Sequence, residues 1–282
     1  MVPKRKLLWE RVKRMAKISV LGAGGWGLAL ALTVYSNGYD VTVWSPFEEE
    51  VKELTQKRTN SRLLRGVMIP EKINITTDIN DIKDSMITVL ATPSFAIRET
   101  AKRLKSQKDF GVLVNVAKGL ESESLKRLSQ VIEEELPSAS LVVLSGPSHA
   151  EEVARKIPTM LTASSLKAEC SDLVQKVFSN DFLRVYTNPD IVGVELGGAL
   201  KNVIAVAAGL CDGMGLGDNS KAALITRGLA EMIRLGEKMG AESTTFSGLT
   251  GLGDLIVTCT SQHSRNNRFG NLVGKGVSVE EA

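Results

Sequence analysis

Histidine is almost missing from this chain: His149 and His263 are the two in 282 residues. That scarcity excludes a multi-histidine metal centre, and none is expected. It also shifts any acid–base work onto Lys, Asp or Glu. Cysteine is nearly as sparse. Cys170, Cys211 and Cys259 are odd in number, far apart and form no C-x-x-C, which excludes a disulfide framework or a thiolate zinc site and fits free thiols in a reducing compartment. Aromatic residues make up 5%, too few for a base-stacking platform. No apolar run approaches the roughly 20 residues that cross a bilayer, so no membrane span is expected. The basic start is followed only by Leu7, Leu8 and Trp9, so a secretory signal is not expected either. These absences describe a soluble, cytoplasmic protein.

The chain has 43% hydrophobic and 24% charged residues, close to the average for globular proteins, and its length suits about two domains. Of 35 basic and 32 acidic residues, six bases and one acid fall in residues 1–14. The rest carries 29 against 31, which gives no nucleic-acid footprint. Residues 1–14 are accordingly expected to be a basic extension with no part in the fold.

K-I-S-V-L over residues 17–21 is short, apolar and β-branched, as a buried parallel strand should be. G-A-G-G-W-G follows from Gly22 to Gly27, then a helix-forming run that stops at Asn37-Gly38, then D-V-T-V-W from Asp40. This strand–glycine turn–helix–strand unit is the context in which G-x-G-x-x-G means dinucleotide binding. Gly22 permits the tight turn, Gly24 lets a pyrophosphate approach the backbone, and Gly27 lets helix and strand pack closely. The helix N-terminus offers N–H groups and positive dipole to phosphates. The plainer alternative is a strand-to-helix turn that binds nothing.

Further apolar strands are expected at 86–90, 112–116, 141–144, 159–163 and 183–187, alternating with helical intervals. The first three end in A-T-P-S (with Pro93), A-K-G and S-G-P-S. In a doubly wound sheet those carboxyl ends wall the ligand crevice. After Asn188-Pro189 the pattern changes to Ala/Leu/Gly-rich helices at 190–211, 220–239 and 252–260. The expected fold is therefore α/β: a Rossmann-type doubly wound, mostly parallel sheet over residues 15–188, followed by an all-α C-terminal domain over 189–282.

Four features could do chemistry. Lys201 lies within an otherwise apolar helix, in E-L-G-G-A-L-K-N-V. A lysine there either snorkels to a domain edge or is an active-site amine whose pKa is lowered by burial and like charge. Lys118 in A-K-G is at a strand end on the crevice side. Asp254 stands among glycines and apolar residues, where an unpaired carboxylate is costly; the alternative is a helix N-cap. Ser264, Arg265 and Asn266 place a hydroxyl, a guanidinium and an amide together, which suits a phosphate but equally a polar turn.

With these stretches assembled, the chain resembles the bacterial-type NAD(P)-dependent glycerol-3-phosphate dehydrogenases from Ile18 to about Gly276. The resemblance is carried by G-A-G-G-W-G, A-T-P-S, A-K-G-L-E, S-G-P-S-H-A-E-E-V-A, E-L-G-G-A-L-K-N-V-I-A, G-D-N-S-K-A-A-L-I-T-R-G, G-L-T-G-L-G-D-L-I-V-T-C and S-R-N-N-R-F-G. It implies reversible reduction of dihydroxyacetone phosphate to sn-glycerol 3-phosphate, feeding glycerophospholipid synthesis, with Lys201 as proton donor and acceptor. It further implies that Lys118 touches both substrate and cofactor. Gly146, Ser148, Asp254, Ser264, Arg265 and Asn266 would contact substrate; Gly25, Trp26, Ala150 and Arg265 would contact cofactor. Asn202 and Thr258 would be supporting polar groups. His149 departs from the family, which usually has Phe there. Relatives also continue past Ala282 with further helix and cofactor contacts, so the helical domain is expected to be shortened.

For transition-state work at neutral pH, Lys201 should titrate near 7–8 rather than at its usual value of about 10.4. An NAD-selective site usually has Asp or Glu at the end of the second strand. Here that place holds Trp44-Ser45-Pro46, with Glu48 to Glu50 beginning the next helix. NADP is therefore expected to be accepted, with NAD also open. Two rival readings remain: a related β-hydroxy-acid or ketopantoate reductase, and a dinucleotide-sensing protein without turnover. A homodimer is also left open.

Overall fold

The computed structural model describes residues 16–107 and 109–282; the expected extension over residues 1–14 lies outside the described residues. The first strand, β1 (Lys17–Leu21), has its last four residues buried. It leads into the glycine turn at Gly22, where φ is +118° and a Cβ would lie 2.7 Å from the backbone of Ala91. Helix α1 (Gly25–Ser36) starts from Gly24 and stops at Asn37, with Gly38 in the left-handed conformation that ends helices. Then come β2 (Asp40–Trp44), α2 (Glu48–Lys57), β3 (Asn74–Thr76), β4 (Ser85–Leu90), α3 (Ile97–Leu104), β5 (Val112–Asn115), α4 (Leu128–Glu135), β6 (Leu141–Ser145), α5 (Ala150–Ala154), β7 (Thr159–Ser164), α6 (Ala168–Phe178) and β8 (Leu183–Asn188).

The eight strands form one sheet in the order β3-β2-β1-β4-β5-β6-β7-β8. Every neighbouring pair is parallel except β6 with β7. Strand order reverses on either side of β1, so a crevice opens beside its carboxyl end, between β1 and β4. Side chains alternate across the pleat. Ile18 and Val20 join the apolar cluster that includes Leu28 and Phe178, whereas Leu21 joins the one that includes Ile97 and Leu128. Burial on both faces explains why these strands read as continuous apolar runs.

Gly27 shows how tightly the first unit is built: a Cβ there would stand 2.1 Å from the Gly22 carbonyl oxygen. Gly27→Ala should therefore push α1 off β1, destabilising the protein by about 1–3 kcal/mol. A Tm several degrees lower in thermal unfolding checks this; an unchanged Tm would show that the turn can relax.

Beyond Asn188 the described chain is helical: α7 (Ile191–Gly213), α8 (Gly217–Lys238), α9 (Ser243–Phe246), a wide π turn over Leu249–Gly253, α10 (Asp254–Thr260) and α11 (Arg265–Gly274). The Asp190 side chain caps α7 by accepting from Gly193 N at 2.8 Å. Helices α7 and α11 pack almost backbone to backbone, because a Cβ on Gly209 would lie 2.0 Å from Asn267 O and one on Gly270 2.0 Å from Val206 O.

Four expectations need correction. Helix α7 is long and apolar enough to cross a membrane, with mean hydropathy 1.6 over its best window, although no such run was expected. It carries Glu195 and Lys201 as buried, ion-paired groups and is sandwiched among α8, α10 and α11, which makes it the core helix of this half. Strand β3 was missed, being three residues at the sheet edge. The segment expected as one helix over 252–260 is instead a π turn followed by α10, in which Gly253 is the N-cap and Asp254 the first helical residue. Ser264-Arg265-Asn266 is no simple turn: Ser264 caps α11, its Oγ accepting from Asn267 N at 3.1 Å.

Candidate active site

Three charged side chains from distant parts of the chain meet where the sheet edge faces the helical half. Lys118 follows β5. Its Nζ donates to Gly146 O, just past β6, at 2.9 Å, and to Asp254 Oδ2 at 2.6 Å. Lys201, midway along α7, donates to Asp254 Oδ1 and to Thr258 Oγ1, the latter at 2.7 Å. Thr258 in turn donates to Asp254 O at 2.6 Å, one helical turn back. One carboxylate thus holds two ammonium groups, one from each half of the molecule. Asp254 is 1% exposed, so its charge must be offset by cationic partners in direct contact.

A small residue makes the meeting possible. Gly198 lies one turn before Lys201, and a Cβ there would stand 2.9 Å from Ser145 Oγ and 3.4 Å from the Lys118 side chain. Burial, followed by the neighbouring Lys118 charge, pulls the Lys201 pKa down to about 8, against the opposing pull of Asp254. Cys259, close by, is inert: burial pushes its thiol up to about 11.

In front of the two amines lies a cavity of about 580 Å³. Trp26, Lys118, Ser148, Lys201, Asn202, Thr258, Ser264, Arg265 and Asn266 all line it. Of the remaining expected residues, Asp254 lies behind the amines and Gly146 is buried with φ +138°. Ala150 opens α5 and Pro93 precedes the 3₁₀ turn Ser94–Ala96 after β4. Gly22, Gly24, Gly25 and Gly27 form the turn after β1, which Trp26 links to the cavity. The turn fits a dinucleotide phosphate: nothing lies within 4 Å of a Cβ built on Gly24, so the N-terminus of α1 is open to approach.

Sequence reasoning passed over His263 and Phe269, which also line the cavity. Phe269 is four residues beyond Arg265 and so shares its helix face, a signal that needed α11 to be recognised. His149, noted only as a departure, lies 5.5 Å from His263, ring centre to ring centre. Its Nε2 is buried without a hydrogen-bond partner among the described residues, and burial lowers its pKa.

The two halves are also fastened at a second point. Glu195, on α7, accepts from Ser129 N at 2.8 Å, Ser129 Oγ at 2.5 Å and Arg127 Nη1 at 2.6 Å, all at the N-terminus of α4. Lys201, six residues further along the same helix, is thereby held in register with Lys118.

A mostly parallel sheet with a glycine turn that fits a dinucleotide phosphate, joined to a helical half that brings a buried amine to the sheet's carboxyl edge, defines a nicotinamide-dependent dehydrogenase. Comparison with known proteins narrows this class. Residues 17–171 match the family model described as NAD-dependent glycerol-3-phosphate dehydrogenase N-terminus, and residues 190–282 match the corresponding C-terminus. The chain is 53% identical over 272 residues to a Fusobacterium nucleatum protein named glycerol-3-phosphate dehydrogenase (NAD(P)+), covering 95% of this chain and 81% of that one. A Bacillus pumilus protein of the same name is also 53% identical, with 95% and 79% covered. The 2.1 Å crystal structure of glycerol-3-phosphate dehydrogenase from Coxiella burnetii superposes with a TM-score of 0.91 at 39% identity, covering 94% of this chain and 82% of that one. The chain belongs to the NAD-dependent glycerol-3-phosphate dehydrogenase family.

Proposed function

We propose that this protein reversibly reduces dihydroxyacetone phosphate to sn-glycerol 3-phosphate with NAD(P)H, supplying glycerophospholipid synthesis. The observation that carries the reading is the paired amine site, Lys201 and Lys118 on Asp254, at the carboxyl edge of a dinucleotide-binding sheet. Residues up to 188 hold the dinucleotide: the turn from Gly22 to Gly27 takes the pyrophosphate, with Pro93, Lys118 and Ala150 along its course. Residues from 189 onward supply the proton donor. Three free thiols suit a cytoplasmic setting.

When bound, the nicotinamide supplies or accepts the hydride at C2 of the substrate. The chain's own residues do the rest. Lys201, as ammonium, gives its proton to the C2 oxygen as negative charge develops there. In reverse, as free amine, it takes the hydroxyl proton. Asp254 and Thr258 hold Nζ in place, and Lys118 adds a second positive charge. Arg265 and Asn266, in the first turn of α11, clamp the substrate phosphate with the positive end of that helix behind them.

Absorbance at the nicotinamide band, with dihydroxyacetone phosphate added, tests the reading directly. Its pH dependence follows from Lys201. Reduction needs the protonated amine and should fall as pH rises through about 8; oxidation needs the neutral amine and should rise through the same value. Profiles that slope the same way in both directions would remove Lys201 from the proton transfer.

A further inference from the structure

The end of β2 is where a dinucleotide site chooses between NAD and NADP, because an acid there accepts from the ribose 2′-hydroxyl and repels a 2′-phosphate. Ser45 occupies that place, 21 residues after Gly24 in a turn that calls for about 20. It cannot do either task unaided: its side chain is neutral and the residue is fully buried. The position is nonetheless set firmly against the phosphate turn, since Gly22 N donates to Trp44 O at 2.8 Å.

An acid reaches this place from elsewhere. After Ser45 the chain turns through Pro46 and Phe47 into α2, and Glu50, in its first turn, folds back. Ser45 Oγ donates to Glu50 Oε2 at 2.5 Å, while Phe47 N donates to Ser45 Oγ at 3.3 Å and fixes the hydroxyl. One carboxylate oxygen is thus anchored on Ser45, and the other accepts no hydrogen bond among the described residues. Glu50 forms no ion pair among the described residues. The two bases at the far end of α2 are occupied elsewhere, Lys57 with Glu53 at 2.8 Å and Arg58 with Ile73 O at 2.9 Å. Glu48 and Glu49 add like charge to the same helix turn.

We infer that Glu50, held on Ser45, is the cofactor-selecting acid of this protein: its carboxylate stands in for the strand-end acid that the sequence lacks, accepts from the ribose diol and makes NAD the preferred cofactor. The inference rests on the dehydrogenase reading and refines its cofactor. It narrows the expectation drawn from residues 44–46, which left both NADP and NAD open, because the acid comes five residues past Ser45 and reaches it through a turn. A dianionic 2′-phosphate would meet this carboxylate and the glutamates beside it, whereas Lys52, two residues beyond Glu50, points to a different side of the helix and forms no ion pair with it among the described residues.

The test is direct binding of NAD+ and of NADP+ to the full chain, followed by Trp26 fluorescence or calorimetry, for wild type, Glu50→Gln and Glu50→Ala. Steady-state rates with NADH and NADPH are measured in parallel. Wild type should bind NAD+ at least tenfold more tightly than NADP+. Glu50→Gln keeps a hydrogen bond to Ser45 but removes the charge. It should narrow that gap at least fivefold, mainly by tighter NADP+ binding; Glu50→Ala should narrow it while also weakening NAD+. A wild-type preference for NADP+, or equal changes for both cofactors in Glu50→Gln, would overturn the inference and leave the dehydrogenase intact, its glutamate merely bracing α2. If neither cofactor binds wild type, the dehydrogenase reading itself fails, and the inference with it.

Discussion

Lys201→Met should lower kcat for dihydroxyacetone phosphate reduction by about 10²–10⁴-fold, the range a positioned general acid contributes, while KM for the substrate moves by no more than about threefold. The split is expected because Lys201 acts where charge develops in the transition state, whereas the phosphate is proposed to be held by other residues. Methionine is unbranched and flexible enough to fill the lysine's path through α7. Asp254 would still have Lys118 Nζ at 2.6 Å, so the substitution does not strand a buried carboxylate. A folded variant, judged by an unchanged circular dichroism spectrum, is therefore expected. Steady-state kinetics at pH 7 decide the matter: kcat within threefold of wild type would exclude Lys201 as proton donor. A raised KM with kcat preserved would make it a binding residue only.

Arg265→Ala should reduce kcat/KM for dihydroxyacetone phosphate by about 10²-fold, as expected for losing a charge-assisted, forked hydrogen bond worth about 1.5–3 kcal/mol. The low activity on unphosphorylated dihydroxyacetone should hardly change. Arg265 is exposed at the start of α11, and the cap on that helix is made by the Ser264 hydroxyl, so the fold does not depend on its side chain. If both substrates lose activity equally, Arg265 serves the cofactor or the structure rather than the phosphate. The same comparison separates this enzyme from β-hydroxy-acid and ketopantoate reductases, which would gain nothing from a phosphate clamp.

Local signals made much of this legible. The turn from Gly22 to Gly27 follows a β-branched run and precedes helix formers within 28 residues, so its geometry is written in consecutive positions. The carboxyl-end loops were legible for the same reason: each apolar strand ends in small or turn-forming residues. What escaped depended on tertiary partners. Asp254 was identified as costly if unpaired, but its partners are 53 and 136 residues away, a separation no periodicity reports. Helix α11 is polar and contains two glycines. Its stability comes from a capping serine and close docking on α7 rather than from propensity. Strand β3 is too short to show alternation. Glu50 was read as the beginning of a helix, and its role at β2 emerged only once the turn through Pro46 and Phe47 was seen to bring it back.

The carboxylate shared by Lys118 and Lys201 also sets the electrical balance of the crevice. Two ammonium groups against one buried anion leave a single surplus positive charge, and Arg265 at the rim makes it two. A phosphate monoester carries roughly −1.5 to −2 at neutral pH. The arriving substrate therefore nearly cancels the field of its own pocket, so that attraction draws it in from outside and fades once it is seated. Such a pocket is selective for a doubly charged ligand without holding it too tightly to release the product, which bears the same phosphate.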